Sequence, residues 1–304
     1  MAFWLISSGS NTLNTFFIIG CGDIGRRVAA LCQAQGAAVC ALTRNSATAQ
    51  QLTARDIVAD VGDLDQTAAL PPLSTGDSVV FYFAPPPAQG GSDPRLRGFL
   101  QHIAPGALPA KLVYISTSGV YGDCQGDWVT EETPAKPSTD RARRRLDAET
   151  ALQAWEANTG VPVVILRVGG IYGPGRLPVK RLRQATPILN AAECGYTNRI
   201  HADDLASICL AAASRGHGIY NVSDGHPSTM TDYFNGVADL HGLPRPPQIG
   251  LAEAKTRLSA EIMSYLEESR RMDNRKMLRE LGVQLRYPTL EQGLRACETG
   301  AQSM

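Results

Sequence analysis

The segment Gly20-Cys21-Gly22-Asp23-Ile24-Gly25 spaces three glycines so that a backbone can close on an anion. Gly20 permits a tight turn and Gly22 lets backbone N–H groups approach a pyrophosphate. Gly25 lets a following helix pack closely on the preceding strand. The helix N-terminus then favours negative charge. With a strand before it and a helix after it, the spacing is a dinucleotide signature; without a ligand it is a glycine-rich turn. An NAD site usually places an acid about twenty residues on, where it holds the ribose 2′-hydroxyl. Here Thr43-Arg44-Asn45-Ser46 occupies that place, and no carboxylate follows before Asp56. Arg44 suits a 2′-phosphate, so the expected cofactor is NADP rather than NAD. The other reading of Arg44 is a solvated loop residue.

The second concentration of chemistry is basic. In PSTDRARRRLDAE, residues 137–149, Arg141, Arg143, Arg144 and Arg145 fill four of five positions. Across the chain, 29 Lys and Arg balance 29 Asp and Glu. Zero net charge argues against a whole-protein attraction to nucleic acid or an anionic membrane, and no aromatic residue interleaves the run. Ser138-Thr139-Asp140 reads as a helix start, so the four arginines span most of one turn and cannot all face one way. Some form a solvated face; one or two reach a cleft. Positive charge in a helix's first turn opposes the dipole by about 0.3–1 kcal/mol each, and a bound anion would offset that. The expected partner is a small molecule of unknown identity; neither a nucleic acid nor a membrane is expected, and the oligomeric state stays open.

The elements that must position these groups are legible as apolar runs. TFFIIG (15–20), AAVCALT (37–43), IVAD (57–60), DSVVFYFA (77–84), KLVYIST (111–117) and VPVVILR (161–167) are separated by connections long enough for helices. That alternation predicts a doubly wound parallel sheet covered on both faces. Asp23–Gln35 reads as a helix stopped by Gly36. After residue 168 the pattern shifts to Gly-, Pro- and Arg-rich segments, with one more strand, GIYNV (218–222), and polar helical stretches such as 252–281. The expected division is an N-terminal extension over 1–14, a nucleotide-binding domain over 15–168, and a smaller C-terminal α/β lobe over 169–304, with some segments returning to the main sheet. Seven cysteines without a C-x-x-C pair fit a reducing cytoplasm rather than a disulfide framework. No metal site is expected.

Taken in order, the motifs resemble the extended short-chain dehydrogenase/reductase family, the NAD-dependent epimerase/dehydratase group. GCGDIG, GDLD (62–65), YISTSGVYGD (114–123), LRVGGIYGPGR (166–176), RIHADDLA (199–206), YNVSDG (220–225) and LGVQLRYPTLEQGL (281–294) carry the resemblance, which spans residues 15 to about 295. It implies a Rossmann domain binding NAD(P) and a smaller lobe closing over a substrate. The implied cofactor contacts are Gly20, Gly22, Asp23, Ile24, Gly25, Thr43, Arg44, Asp63, Leu64, Ala84 and Thr117. Thr117 also takes the place of the Ser or Thr that orients the substrate oxygen, with Ser116 and Ser118 as neighbours.

The family's Tyr-x-x-x-Lys pair is missing. Alignment on Leu146-Asp147-Ala148-Glu149 puts Arg141 at the tyrosine position and Arg145 at the lysine position, and no tyrosine lies between Tyr121 and Tyr172. Arginine holds its proton at any working pH, so it cannot serve as a general acid or base. The candidate catalytic set is therefore Thr117, Ser118, Arg141 and Arg145, with the arginines binding charge. Tyr121 reads as scaffold or as a substitute acid. His201 and Asp203 read as the anchor of a strand–helix junction or as an acid/base pair, with Asp204 as helix cap. By register on His201, the arginine that contacts a diphosphate in nucleotide-sugar enzymes is replaced by Thr197, and Arg199 falls where an aromatic residue is common. The segment from Gly175 to Arg199 is short for a large ligand. The expected function is an oxidoreductase or epimerase-like enzyme on a small substrate. The alternative is a non-catalytic NADP-binding sensor or partner protein.

Overall fold

A computed structural model describes residues 15–73 and 75–300; the expected N-terminal extension lies outside the described residues. Strand β1 (Thr15–Ile19), helix α1 (Asp23–Ala34), β2 (Ala38–Thr43), α2 (Ser46–Thr53) and β3 (Val58–Val61) form one half of the sheet. β4 (Val79–Tyr82), α3 (Pro94–His102), β5 (Lys111–Thr117), the two-residue β6 (Trp128–Val129), α4 (Asp140–Thr159) and β7 (Val163–Val168) follow. Then come β8 (Gly170–Tyr172), α5 (Val179–Arg183), β9 (Ile188–Leu189), β10 (Tyr196–Thr197), β11 (Arg199–His201), α6 (Ala202–Arg215) and β12 (Gly218–Val222). The main sheet has seven parallel strands in the order β12-β7-β5-β4-β1-β2-β3. This is the expected doubly wound Rossmann fold. Its strand order reverses between β1 and β4, and a crevice for a ligand opens at such a switch.

The strands are apolar runs because both faces are covered. In β1, Phe16 and Ile18 enter one core with Val28 and Ala29 of α1 and Leu205 of α6. Phe17 and Ile19 enter the other with Phe99 of α3 and Leu152 of α4. Residues beyond 168 therefore serve both parts of the molecule: α6 covers the main sheet and β12 extends it. A separate core of Tyr172, Leu182, Ile188, Phe234 and Leu294 holds the smaller lobe.

Two readings of local structure change. The stretch 252–281 is not one helical region: α7 (Met230–Leu240) is followed by a short α8 (Leu251–Arg257), α9 (Ala260–Leu266) and α10 (Arg275–Leu281), and residues 271–272 pair with β6 as a strand. α6 is capped by His201, whose Nδ1 accepts from the Asp203 N–H at 3.2 Å, and not by Asp204. Asp204 is buried and accepts from the N–H groups of Arg286 and Tyr287 at 2.7 and 2.9 Å, pinning the C-terminal segment. Asp203 pairs with Arg27, tying α6 to α1, and its other oxygen lies 3.7 Å from Nδ1 of the buried His201, in keeping with an anchor of the strand–helix junction.

Candidate functional site

The glycine turn is shaped by contacts that exclude a side chain. Gly20 has φ +87°, and a Cβ there would meet the backbone N of Ala84 at 2.6 Å and its Cα at 2.8 Å. The close approach arises because Phe83 and Ala84 both donate backbone hydrogen bonds to the Ile19 carbonyl, at 2.8 and 3.0 Å, joining β4 to β1 at the switch point. At Gly25 a Cβ would meet the Gly20 carbonyl oxygen at 3.1 Å, so α1 lies tight on β1. Gly22 has nothing within 4 Å of its Cβ position. The backbone there faces open space at the start of α1, the cradle a phosphate needs.

A cavity of about 370 Å³ runs from this turn along the strand ends, lined by Gly20, Gly22, Thr43, Arg44, Asp63, Leu64 and Ala84 among others. All seven are residues the sequence assigns to a cofactor. Asp23, Ile24 and Gly25 lie behind the wall: Ile24 and Gly25 are buried in packing, and Asp23 pairs with Arg27 and Arg176. Burial raises the Asp23 carboxyl, but the two guanidinium groups outweigh it and hold the group below the usual carboxylate range.

Arg26 and Arg95 also line the cleft and were not foreseen. Helical spacing could have found Arg26, since it stands one turn after Gly22. Arg95 is committed to Asp65 through two hydrogen bonds of 2.6 Å. Arg26 and Arg44 are exposed and, among the described residues, neither makes an ion pair. The Cys21 thiol at the turn is pushed up to about 11 by burial, so it is inert.

A second cavity, of about 330 Å³, opens beyond β5 between the sheet and the smaller lobe. Thr117, Ser118, Arg141, Thr197 and Arg199 line it; Arg145 does not. The Thr117 Oγ1 accepts from the Gly119 N–H at 3.2 Å, which leaves its own proton free to be donated. Ser116 points the other way and donates to the buried Glu149 at 2.5 Å.

The basic run separates into four environments. Arg141 stacks on Tyr265 at 3.6 Å and donates to Ser264. Arg143 is exposed and pairs with Asp140 at 2.6 Å. Arg144 is buried and donates to the Gly90 carbonyl at 2.7 Å, holding the loop after β4. Arg145 donates to the Tyr114 hydroxyl and the Ile115 carbonyl, both at 3.0 Å. There is no shared basic face. Tyr121 is fully buried, donates to Asn221 at 2.7 Å, and has its phenol pushed up to about 12 by burial. That environment makes it scaffold.

Buried charge continues behind the second cavity. Burial pushes the Asp224 carboxyl up to about 6, against the smaller opposing pull of its hydrogen bond from the His226 N–H. A carboxyl raised in the folded state favours folding when protonated, so its contribution is lost as pH rises from about 4 through 6. Asp224→Asn should therefore gain stability relative to the unaltered protein across that window, read from paired urea titrations at pH 4, 5, 6 and 7. A constant difference between the two proteins at all four values would contradict the assignment.

Among the described residues no group of three His, Cys, Asp or Glu could hold a metal, and no helix is long and apolar enough to cross a membrane. Comparison with known proteins agrees with this fold. The family model described as NAD dependent epimerase/dehydratase family matches residues 100–223. The chain is 30% identical over 242 residues to Protein YeeZ of Escherichia coli (strain K12), covering 77% of each. It is 29% identical over 256 residues to dTDP-6-deoxy-L-talose 4-dehydrogenase (NAD(P)(+)) of Kitasatospora kifunensis, covering 74% of this chain and 78% of that one. A functionally unknown conserved protein from Silicibacter pomeroyi DSS superposes with a TM-score of 0.83 at 29% identity, over 95% of this chain and all of the other.

Proposed function

Because the chain belongs to the NAD-dependent epimerase/dehydratase family, we propose that it is an NADP-dependent oxidoreductase or epimerase-like enzyme of the cytoplasm acting on a small substrate. The observation that supports this most is the cleft at the strand switch, walled by Gly20 against Ala84 and flanked by two unpaired guanidinium groups. Gly22 and the N-terminus of α1 would hold the pyrophosphate. Arg26 and Arg44 would meet the 2′-phosphate. The talose dehydrogenase, whose name specifies NAD(P)(+), supports the cofactor class. Free cysteines throughout the described chain support a reducing compartment.

When bound, the nicotinamide supplies a hydride donor or acceptor. The substrate would lie in the second cavity, whose volume is near the lower end of the roughly 300–1,000 Å³ of ligand pockets. Thr117 would donate its free proton to the substrate oxygen, and Ser118 stands beside it. Arg141 would stabilise negative charge there without exchanging a proton. Arg145, bonded to Tyr114 and the Ile115 carbonyl, would stiffen the end of β5.

Calorimetry with NADPH and NADH tests the cofactor. The Arg26→Ala/Arg44→Ala double variant should lose about 10–100-fold in NADPH affinity, the worth of a hydrogen bond to a charged group, with NADH affinity unchanged. Equal affinity for both cofactors, unmoved by the substitutions, would sink the NADP assignment. NADPH oxidation over a panel of small carbonyl compounds tests the activity, which should depend on Thr117. Tight NADPH binding without turnover would favour a non-catalytic role.

A further inference from the structure

Four arginines line the second cavity: Arg141, Arg176, Arg199 and Arg270. Arg176 is neutralised by Asp23 at 2.6 Å and Arg270 by Glu268 at 2.9 Å. Glu268 is also the acceptor of the Ser138 hydroxyl, so this carboxylate of the wall is spent. Arg141 and Arg199 keep their charge without an acid partner among the described residues.

Arg199 is the more telling of the two, because it is only 6% exposed. Its guanidinium stacks on the Tyr233 ring at 3.8 Å. Nη2 donates to Thr197 at 3.2 Å and touches the Met230 sulfur at 3.6 Å, and Nε has no partner. Nη1 lies at the wall beside Gly170, where a Cβ would come within 3.3 Å of it. The acid that bears on it electrostatically, Asp224, forms no ion pair with it, and burial favours the neutral form of that carboxyl.

Removing a charge from water without an opposite charge costs several kcal/mol, which the Tyr233 stack and a single hydrogen bond to Thr197 offset only in part. The arrangement makes sense if the missing counter-charge arrives with a ligand. We infer that Arg199 anchors the anionic group, a carboxylate or phosphate, of the small substrate, with Arg141 lining the same cavity. The inference rests on the reading of this cavity as the substrate site. It narrows the substrate class to compact anions carrying a carbonyl or hydroxyl group that Thr117 can reach.

The test is thermal unfolding of the cofactor-free full-length chain at fixed ionic strength, with malonate, inorganic phosphate or neutral malonamide as probe. Malonate or phosphate should raise Tm saturably by about 3–8 °C at high occupancy, and malonamide should not. The larger of the two shifts lost on Arg199→Met identifies the anion chemistry. Arg199→Met should unfold at or above the Tm of the unaltered protein and show no malonate protection. The inference is overturned if Arg199→Met unfolds well below the unaltered protein, which would make the guanidinium structural. It is equally overturned if malonate protection survives the substitution. NADPH binding is read separately by calorimetry. Its absence in the unaltered protein removes the cofactor reading, while absent anion protection with NADPH binding intact removes the role of Arg199.

Discussion

Glu149→Ala should lower the unfolding free energy by about 3–5 kcal/mol, the range for removing one partner of a buried ion pair. Glu149 is 1% exposed and Arg167 5%. The carboxylate receives Arg167 Nη2 at 2.7 Å, Arg167 Nε at 3.2 Å and the Ser116 hydroxyl at 2.5 Å. The Arg167 guanidinium in turn lies over the Tyr121 ring at 4.8 Å. Truncating Glu149 leaves a guanidinium and a hydroxyl buried without their acceptor, and the desolvation of each is then uncompensated. Glu149→Leu combined with Arg167→Met should cost far less, because both charges leave together and the volume is roughly kept. Urea titration reads the difference as a shift of midpoint at constant slope. An effect of Glu149→Ala below about 1 kcal/mol would show that the pair contributes little. The consequence for function is positional: the network ties α4 to the end of β5 and to the turn after it, so Thr117 is held from behind.

How far the sequence carried this depends on what kind of signal each feature leaves. Strands buried on both faces must be apolar throughout, so the main sheet was legible nearly residue by residue; Lys111–Thr117 and Gly218–Val222 have the bounds expected of them. The cradle was legible because close backbone approach demands glycine. Pairings made through tertiary contact leave no local pattern. The strand at Arg271–Met272 is two residues long and exists because Trp128–Val129 lies beside it, so a stretch with helical composition concealed it. Glu149 served only to register an alignment, because nothing local in α4 announces a partner eighteen residues away in a strand. The basic run was read as facing several ways, but which arginine goes where depends on tertiary contact: Arg141 reaches the second cavity, Arg144 a loop and Arg145 a strand. Arg199 was noticed as a departure from an aromatic position, but its lack of a counter-ion is visible only in three dimensions.

Gly20 and Gly22 should respond to alanine in opposite ways, and the contrast separates the fold's need for glycine from the ligand's. At Gly20 the positive φ alone costs an alanine about 1–3 kcal/mol. The added methyl also meets the Ala84 backbone at 2.6 Å, where no side chain can yield. Gly20→Ala should therefore lose more than about 2 kcal/mol of stability, and cofactor binding should fall with it as β1 and β4 are forced apart. At Gly22 the methyl meets nothing within 4 Å, so stability should stay within about 0.5 kcal/mol of the unaltered protein. That open space is where the pyrophosphate would sit, and a methyl there keeps phosphate oxygens from the backbone N–H groups. Losing such a charge-assisted hydrogen bond is worth about 10–100-fold in affinity. Urea titration and NADPH calorimetry on the two variants read both quantities. A Gly22→Ala protein that folds normally and binds NADPH unchanged would place the phosphate elsewhere, since the cradle's open position would then have no occupant to displace.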